Sequence, residues 1–515
     1  MHRISLLWKA NIIAFISSFC VMVIELVASR ILAPYIGVSL YTWTSIIGVI
    51  LTGIALGNYI GGKIADKYPH PPVLVAIFFV GSLATIAILP FIKMVAYEDW
   101  FAGLPLMLNF VLRTACVFFL PAVILSMVSP LVIKLTLPDL GQTGGVVGTI
   151  YAFSTMGAIL GTFMTGFFFI LWFGTRMIIW LVAGILILTG IISWFSWKVP
   201  GRWKPSPMNL AIWIATLVVV LASISLFQFR ASWQENYTRE SNYYTIRVTT
   251  ESGNMKVLIL DHLVHSYVFP DNPTVFKYDY EKIFTEIISY FMKENQTPRV
   301  LHLGGGGYTL PRYIETIYSG SINEVVEIDP LVTQVAYDEL GLNRATSIKT
   351  YNQDARLFLI QRKTGDKYNI VIGDVFNDLS TPYHLTTLEF SRLVKANMEE
   401  GGVYMINIID DFQRGRYMPS FISTLGQVFR HVTLFSSSND WNNLGLSTFV
   451  VAASDRDIEP DDYMKFITEN GRKIATGNLY NEIALERYLA ARNPILLTDD
   501  HAPTDILVAP LIRQR

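Results

Sequence analysis

Long stretches without a single charged side chain dominate the first 230 residues of the chain. Asp, Glu, Lys and Arg are all absent from five long segments of this region: residues 31–62, 114–133, 140–175, 177–197 and 205–229. A helix that crosses a bilayer needs about 20 mainly apolar residues, and in lipid its backbone groups must be satisfied internally. The sequence therefore predicts an α-helical transmembrane bundle over residues 1–230.

Seven apolar stretches have the length of a membrane span. They lie near residues 11–30, 40–62, 72–94, 108–134, 143–172, 175–197 and 207–229. Lys and Arg are concentrated at the N-terminus and in the second, fourth and sixth loops, which places the N-terminus in the cytoplasm. Seven spans would put the rest of the chain outside. A helical hairpin over residues 101–137, broken at Pro121, would add an eighth span and return the rest to the cytoplasm.

Three ionisable residues lie within or at the ends of the predicted spans: Glu25, Arg30 and Arg113. A charge at membrane depth is costly and usually has a partner or a function. Two explanations stay open. Glu25 and Arg113 could pair inside the bundle, or Glu25 could face a polar cavity used for transport or ligand binding.

From about residue 235 onward the composition is that of a water-soluble protein. The formal net charge of the whole chain is −1 and no basic block is present, so we predict no nucleic-acid partner. The two cysteines, Cys20 and Cys116, lie in apolar stretches and allow neither a disulfide framework nor a metal site.

The soluble part begins with a β-rich segment, residues 231–275, that contains a predicted hairpin. Tyr243–Thr250 and Met255–Leu260 are its strands, and a turn containing Gly253 joins them. An amphipathic helix follows at 277–294, and from Pro298 onward strands alternate with helices. This alternation predicts an open, mostly parallel sheet with helices on both faces, a Rossmann-like α/β domain over residues 276–515.

Candidate ligand-binding residues follow four successive strands of this sheet. Gly304, Gly305 and Gly306 form a turn after the first strand, where side-chain-free residues let the backbone approach a ligand. Glu327 ends the second strand, at the position from which a carboxylate takes both ribose hydroxyls. Asp354 ends the third strand and could accept from an adenine amino group, and Asp374 ends the fourth. Since the carboxyl ends of parallel strands share one edge, the pattern predicts a nucleoside site.

Several motifs extend this pattern: LILDHLVHS in the hairpin, the Tyr280–Glu281 pair, LGGGG…PR, VEIDP, QDAR, and the Asp374 loop with Pro382. Over roughly residues 240–420 the chain resembles the spermidine synthase (polyamine aminopropyltransferase) family. The motifs IELVASRILAPYIG and GNYIGGKIAD resemble the helical domain that precedes such synthases in many bacteria. The resemblance implies a class I methyltransferase-like fold, a multi-pass protein of the bacterial inner membrane, and a homodimer.

The resemblance also implies chemistry. Decarboxylated S-adenosylmethionine would donate an aminopropyl group to a diamine such as putrescine, giving spermidine and methylthioadenosine without a prosthetic group or metal. Asp374 would be the base, Glu327 would hold the ribose, Asp354 the adenine, and Tyr280 would line the amine channel.

The chain departs from the family at three places. Gly307 stands where the synthases carry the Asp that grips the propylamine of the donor, and His265 replaces a Gln of the donor site. The second carboxylate of the acceptor loop is missing or is moved to Asp378. Two other hypotheses therefore stay open: a transporter or sensor that binds a polyamine or adenosyl ligand without turnover, and a methyltransferase that uses intact S-adenosylmethionine.

Overall fold

The computed structural model describes most of the chain. The described residues are 2–36, 39–97, 101, 104–137, 143–197, 238–292, 297–362, 365–376, 381–469 and 476–512. The chain divides into two compact units, Met1–Thr245 and Ile246–Arg515.

The first unit is helical. Helices α1 to α8 span His2–Ile36, Leu40–Lys67, Pro71–Tyr97, Leu106–Thr114, Leu120–Ser126, Val128–Thr136, Thr143–Met164 and Ile170–Ser196. Two π-helical turns join neighbouring helices, at Ala115–Phe119 and Thr165–Phe169. Six continuous stretches are long and apolar enough to cross a membrane: Leu6–Ala33, Leu40–Lys67, Pro71–Ile92, Met107–Thr136, Thr143–Phe169 and Trp172–Ser196. The stretch predicted at 207–229 lies outside the described residues.

The helical hairpin considered over residues 101–137 is not formed. Met107–Thr136 is one continuous span, and Pro121 lies just after the π-helical turn Ala115–Phe119. A π-turn locally replaces the i→i−4 hydrogen bonds, so a residue without an N–H can be accommodated without reversal of the chain. The expectation of an eighth span at this place is therefore wrong.

The pair between Glu25 and Arg113, one of the two alternatives, is not formed either. Arg113 donates from Nε to Asn109 Oδ1 at 2.7 Å and from Nη1 to the carbonyl oxygen of Val95 at 2.5 Å. Among the described residues, Glu25 is half-buried and makes no ion pair with Arg113. The Arg113 guanidinium instead joins α4 to α3 through the carbonyl oxygen of Val95, while Asn109 lies on its own helix.

Hydrogen bonds mark two opposite ends of the helical unit. At one end, Lys9 Nζ donates to the carbonyl oxygen of Ser196 at 2.9 Å. At the other end, Arg30 donates to the carbonyl oxygen of Ser241 at 2.9 Å. Next to it, the carboxylate of Glu240, in the short strand β1 (Thr238–Glu240), accepts from the backbone N–H of Thr175 at 2.6 Å. The chain therefore leaves this unit at the end where α1 finishes and not at the end where it starts.

The second unit begins with antiparallel strands. Strands β2, β3 and β4 span Thr245–Thr250, Lys256–Leu260 and Leu263–Val268. Ile246 is paired with Leu260, and Leu258 with Ser266. The predicted hairpin is confirmed, whereas the third strand, Leu263–Val268, was not predicted as a strand.

An eight-stranded sheet forms the centre of the second unit. Strands β5 to β12 span Arg299–Leu303, Ile322–Val326, Lys349–Tyr351, Tyr368–Gly373, Met398–Asp411, His431–Ser436, Leu446–Ser454 and Asn478–Leu479. Their order in the sheet is β12-β10-β11-β9-β8-β5-β6-β7. The pairs from β9 to β7 are parallel, and β11, β10 and β12 pair in antiparallel fashion. The predicted open, mostly parallel sheet is confirmed.

Helices of the second unit alternate with these strands. Helices α9 to α17 span Asp279–Phe291, Thr309–Ile317, Pro330–Glu339, Ala355–Gln361, Leu388–Ala396, Tyr417–Leu425, Pro460–Glu469, Glu482–Arg492 and Thr504–Ile512. Short 3₁₀ turns lie at Ser252–Asn254, Tyr383–Leu385 and Trp441–Asn443. The central strands are buried; Leu301, Val371 and Val450 are fully excluded from solvent. Each such side chain contributes roughly 1.5–3 kcal/mol of burial free energy to folding.

The sheet topology fixes where a ligand can bind. Strand β5 lies between β6 and β8, and both pairings are parallel. The connection from β5 to β6 and the connection from β8 to β9 therefore lead to opposite sides, which leaves a crevice at the carboxyl ends of β5 and β8.

Candidate active site

A cavity of about 300 Å³ lies at the carboxyl ends of β5, β8 and β9. Strand β4, helix α9 and strand β11 complete its wall. The residues that line it are Leu263, Val264, His265, Ser266, Tyr278, Tyr280, Gly304, Gly305, Gly306, Thr309, Asp374, Phe376, Asn407, Ile409, Leu446, Ser447 and Thr448. Among the described residues neither Lys nor Arg contributes to this lining, and Asp374 contributes a carboxylate, so the chemistry of the cavity suits a cationic ligand.

Asp374 is held at the centre of this wall by two side chains. Its Oδ2 accepts from the hydroxyl of Tyr280 at 3.1 Å, and its Oδ1 accepts from Nδ2 of Asn407 at 2.9 Å. Burial raises the pKa of the Asp374 carboxyl above its ordinary value, although both hydrogen bonds act in the opposite direction. A half-buried carboxylate that is fixed in place and has a raised pKa is suited to accept a proton.

The glycine turn lies against this carboxylate. Gly304 has a φ of +92°, and a Cβ there would lie 2.4 Å from the carbonyl oxygen of Asp374. A side chain at this position would therefore be strained and would push the ends of β5 and β8 apart. The absence of a side chain lets the two strand ends approach and brings Asp374 next to the turn.

Glu327 lies directly behind the turn. Its Oε2 accepts from the backbone N–H groups of Gly305 at 2.8 Å and Gly306 at 3.3 Å, and its Oε1 accepts from the N–H of Asp329 at 2.9 Å. Burial raises the pKa of the Glu327 carboxyl, while the three backbone donors lower it. The described cavity lining includes Gly305 and Gly306 but not Glu327, so this carboxylate organises the turn in the structure.

Asp354 lies further along the same edge of the sheet. Its Oδ1 caps helix α12 by accepting from the N–H of Leu357 at 2.9 Å, and its Oδ2 lies 2.9 Å from Nε2 of His384. The hydrogen bond with His384 lowers the pKa of the Asp354 carboxyl. Asp354 is not part of the described cavity lining.

The remaining predicted residues are distributed as follows. Tyr280 and His265 line the cavity, and burial raises the pKa of the Tyr280 phenol well above its ordinary value, so it stays a neutral donor. Asp378 lies outside the described residues. Gly307 is covered by strand β4, because a Cβ there would lie 2.6 Å from Cβ of Ser266 and 2.7 Å from Cγ2 of Val268.

No model of a protein family matches the chain. A polyamine aminopropyltransferase of Vibrio vulnificus is 32% identical over 110 residues, which are 21% of this chain and 37% of that protein. A probable polyamine aminopropyl transferase of Bifidobacterium longum is 25% identical over 312 residues, 57% of this chain and 67% of that protein.

The chain is similar to polyamine aminopropyltransferases. The resemblance predicted from the motifs is thereby confirmed, although the chain spans only 37% of the length of the Vibrio relative. A crystal structure of a probable spermidine synthase from Corynebacterium glutamicum is 22% identical, with a TM-score of 0.46. The match covers 51% of this chain and 96% of the chain in that crystal structure.

Two polar residues of the site were not given a role by the sequence alone. Asn407 is 4% exposed, donates to Asp374, and its Oδ1 has no hydrogen-bond partner. Glu281 is 1% exposed, and its Oε1 accepts from the hydroxyl of Thr309. A signal for Asn407 existed, since it is a polar residue within the apolar run of β9. Glu281 belongs to a motif shared with polyamine aminopropyltransferases, but the motif assigned a role only to Tyr280.

Proposed function

We propose that the chain is an aminopropyltransferase that transfers an aminopropyl group from decarboxylated S-adenosylmethionine to a diamine such as putrescine. The products would be spermidine and methylthioadenosine. The observation that carries this proposal is Asp374: a half-buried carboxylate in a cavity with no Lys or Arg in its described lining, next to a glycine turn and fixed by Tyr280 and Asn407. The similarity to polyamine aminopropyltransferases supports it.

The reaction is a direct displacement. The neutral nitrogen of the acceptor amine attacks the propyl carbon next to the sulfonium, the new C–N bond forms, and the C–S bond breaks with its electron pair on sulfur. The nitrogen must lose one proton, and Asp374 accepts it. Its raised pKa favours this transfer near neutral pH, and its charge attracts the cationic amine beforehand.

The adenosyl part is assigned to the turn and the strand ends beside it. We place the ribose hydroxyls on Glu327, which already holds the backbone N–H groups of Gly305 and Gly306 in the structure. The adenine amino group would lie near Asp354, with His384 as its neighbour. His265 would contact the donor from strand β4, and Asp378 would contribute to the amine site.

The helical unit is proposed to hold the enzyme in the cell membrane. Six described stretches have sufficient length and hydropathy to span a bilayer, with mean hydropathies of 1.5 to 2.5 over their most apolar windows. Exposed aromatic and aliphatic side chains such as Trp172, Phe167 and Leu120 are more than half exposed in the isolated chain, as lipid-facing residues would be.

Purified full-length protein in detergent tests this function. It is given decarboxylated S-adenosylmethionine and a panel of diamines, and methylthioadenosine release is measured. We expect release with at least one diamine, and a loss of about 10²- to 10⁴-fold in Asp374→Asn, because the general base is removed. Asp338→Asn is the control, since Asp338 forms an ion pair with the exposed Arg344.

Two outcomes would contradict the proposal. Failure of the wild-type protein to release methylthioadenosine with any of the diamines would remove the support for the proposal. Methylation of an acceptor from intact S-adenosylmethionine, without aminopropyl transfer, would favour a methyltransferase.

A further inference from the structure

The donor site lacks a carboxylate at position 307, and the structure closes that position to any side chain. The hydroxyl oxygen of Ser266 accepts from the N–H of Gly307 at 3.1 Å, and the side chains of Ser266 and Val268 occupy the space that a Cβ at 307 would need. A primary ammonium group bound here therefore needs a counter-charge from another element.

Glu281 lies directly behind the lining of the same cavity. It follows Tyr280, which lines the cavity, and its Oε1 accepts from the hydroxyl of Thr309, another lining residue that lies two positions after Gly307. Glu281 is 1% exposed, and its Oε2 has no hydrogen-bond partner. The charge of Asp374 contributes to the raised pKa of the Glu281 carboxyl, so the two carboxyl groups are electrostatically coupled.

A structural role alone explains Glu281 incompletely. It is the third residue of helix α9, a position at which Glu can cap the first turn. The backbone N–H of Tyr278, the residue before the helix, stabilises the Glu281 carboxylate in this way. A solvent-exposed Glu would suffice for that, whereas this carboxyl is buried and its Oε2 has no hydrogen-bond partner among the described residues. Burial of a carboxyl group without a full set of donors is costly unless a ligand supplies them.

We propose that Glu281 is the counter-charge for the primary ammonium group of the aminopropyl donor. It takes the role that a side chain at position 307 cannot fill in this chain. The inference rests on the proposed aminopropyl transfer and adds to it the residue that distinguishes an amine-bearing adenosyl ligand from one without the amine.

Binding should release a proton. Burial raises the pKa of the Glu281 carboxyl to about 8, so in the empty site it is mostly protonated at pH 7. An ammonium group beside it favours the ionised form, and the proton leaves to solvent while the ammonium stays charged. No proton release at Glu281 is expected for a ligand that lacks the amine.

Calorimetric titration of the full-length protein with two thioethers tests the proposal. One is methylthioadenosine, and the other carries the adenosyl group and a 3-aminopropyl group on sulfur. In Glu281→Gln, which keeps shape and capping ability, we expect affinity for the amine-bearing thioether to fall about 10- to 100-fold, the range for a hydrogen bond to a charged group. Affinity for methylthioadenosine should change less than twofold.

Glu286→Gln is the matched control. Glu286 lies on the same helix, is 2% exposed, and accepts from the backbone N–H groups of Thr476 and Gly477. Glu286→Gln should leave the ratio of the affinities for the two thioethers unchanged. Wild-type protein titrated at pH 7 in buffers of different ionisation enthalpy gives an independent measurement that needs no variant. Proton release with the amine-bearing thioether alone supports the proposal.

The outcomes that overturn it are distinct. Equal loss of both affinities in Glu281→Gln, or unchanged affinity for the amine-bearing thioether, refutes the role of Glu281 while the transferase function stands. Equal proton release with both thioethers refutes it as well. Wild-type protein that binds neither thioether refutes the proposed function, and this inference with it.

Discussion

The hydrogen bond from Tyr280 to Asp374 leads to a prediction about the pH dependence of the reaction. The Tyr280 hydroxyl donates to Asp374 Oδ2 at 3.1 Å and lowers the pKa of a carboxyl that burial raises. Tyr280→Phe removes this donor and little volume. The ionised carboxylate loses more stabilisation than the protonated form, so the pKa of Asp374 should rise.

The size of the shift follows from the strength of the bond. A hydrogen bond to a charged group contributes about 1.5–3 kcal/mol, and one pKa unit corresponds to about 1.36 kcal/mol. We therefore expect the acid limb of kcat/KM to move to higher pH by about 1–2 units. The sign is fixed, because the base must be deprotonated to act, and the variant needs a higher pH to reach that state.

The assay is methylthioadenosine release between pH 5.5 and 9.5 with one diamine throughout. The titration of the acceptor amine is then common to both proteins and cancels in the comparison. Tyr290→Phe is the matched control, since Tyr290 lies on the same helix and donates to the carboxylate of Asp462 at 3.1 Å outside the cavity. An acid limb that stays in place in Tyr280→Phe, or moves to lower pH, would refute the assignment of Asp374 as the base.

Three further predictions concern other parts of the chain. Gly307→Ala should lower the free energy of unfolding by about 1–3 kcal/mol, because the added methyl overlaps strand β4. Gly445→Ala, with open space around it, is the control, and equal denaturation midpoints for the two variants would contradict the packing at position 307. Asp354→Asn keeps a good helix cap but loses the carboxylate that faces His384. The Kd for methylthioadenosine should therefore rise about tenfold or more, while the melting temperature stays unchanged. An unchanged Kd would remove Asp354 from the adenosine site. Topology reporters fused at the N-terminus and directly after Ser241 should lie on opposite sides of the membrane, since Ser241 is hydrogen-bonded at the Arg30 end of the helical unit. Two reporters on the same side would exclude this arrangement.

Much of the architecture was predictable because its signals are local. Long apolar stretches predicted helices at six places that the structure describes, and alternation of strands with helices predicted the parallel part of the sheet. The strand at Leu263–Val268 escaped prediction because its pattern is not clearly alternating, and pairing with Lys256–Leu260 stabilises it. The Pro121 hairpin was wrong because a π-turn can accommodate a proline within a continuous helix.

The candidate site also contains a part that local signals predict and a part that they do not. The positions of Gly304, Glu327, Asp354 and Asp374 at one edge of the sheet could be predicted because each follows a strand, and parallel strands end at one edge. The side chains that form hydrogen bonds with Asp374 could not be predicted in this way. Asn407 reaches Asp374 from 33 residues away and Tyr280 from 94, and only the packing of helix α9 and strand β9 on the sheet brings them together.

By itself the sequence determined which segments are apolar helices, which are strands, and where acidic residues and glycines follow the strands, because hydrophobic period and turn chemistry act over a few neighbouring residues. The tertiary structure decided the rest. It closed position 307 with Ser266, a residue 41 positions earlier, and brought Glu281 within hydrogen-bond distance of Thr309. Such contacts depend on how strands and helices pack across the whole sheet, and no local pattern records them.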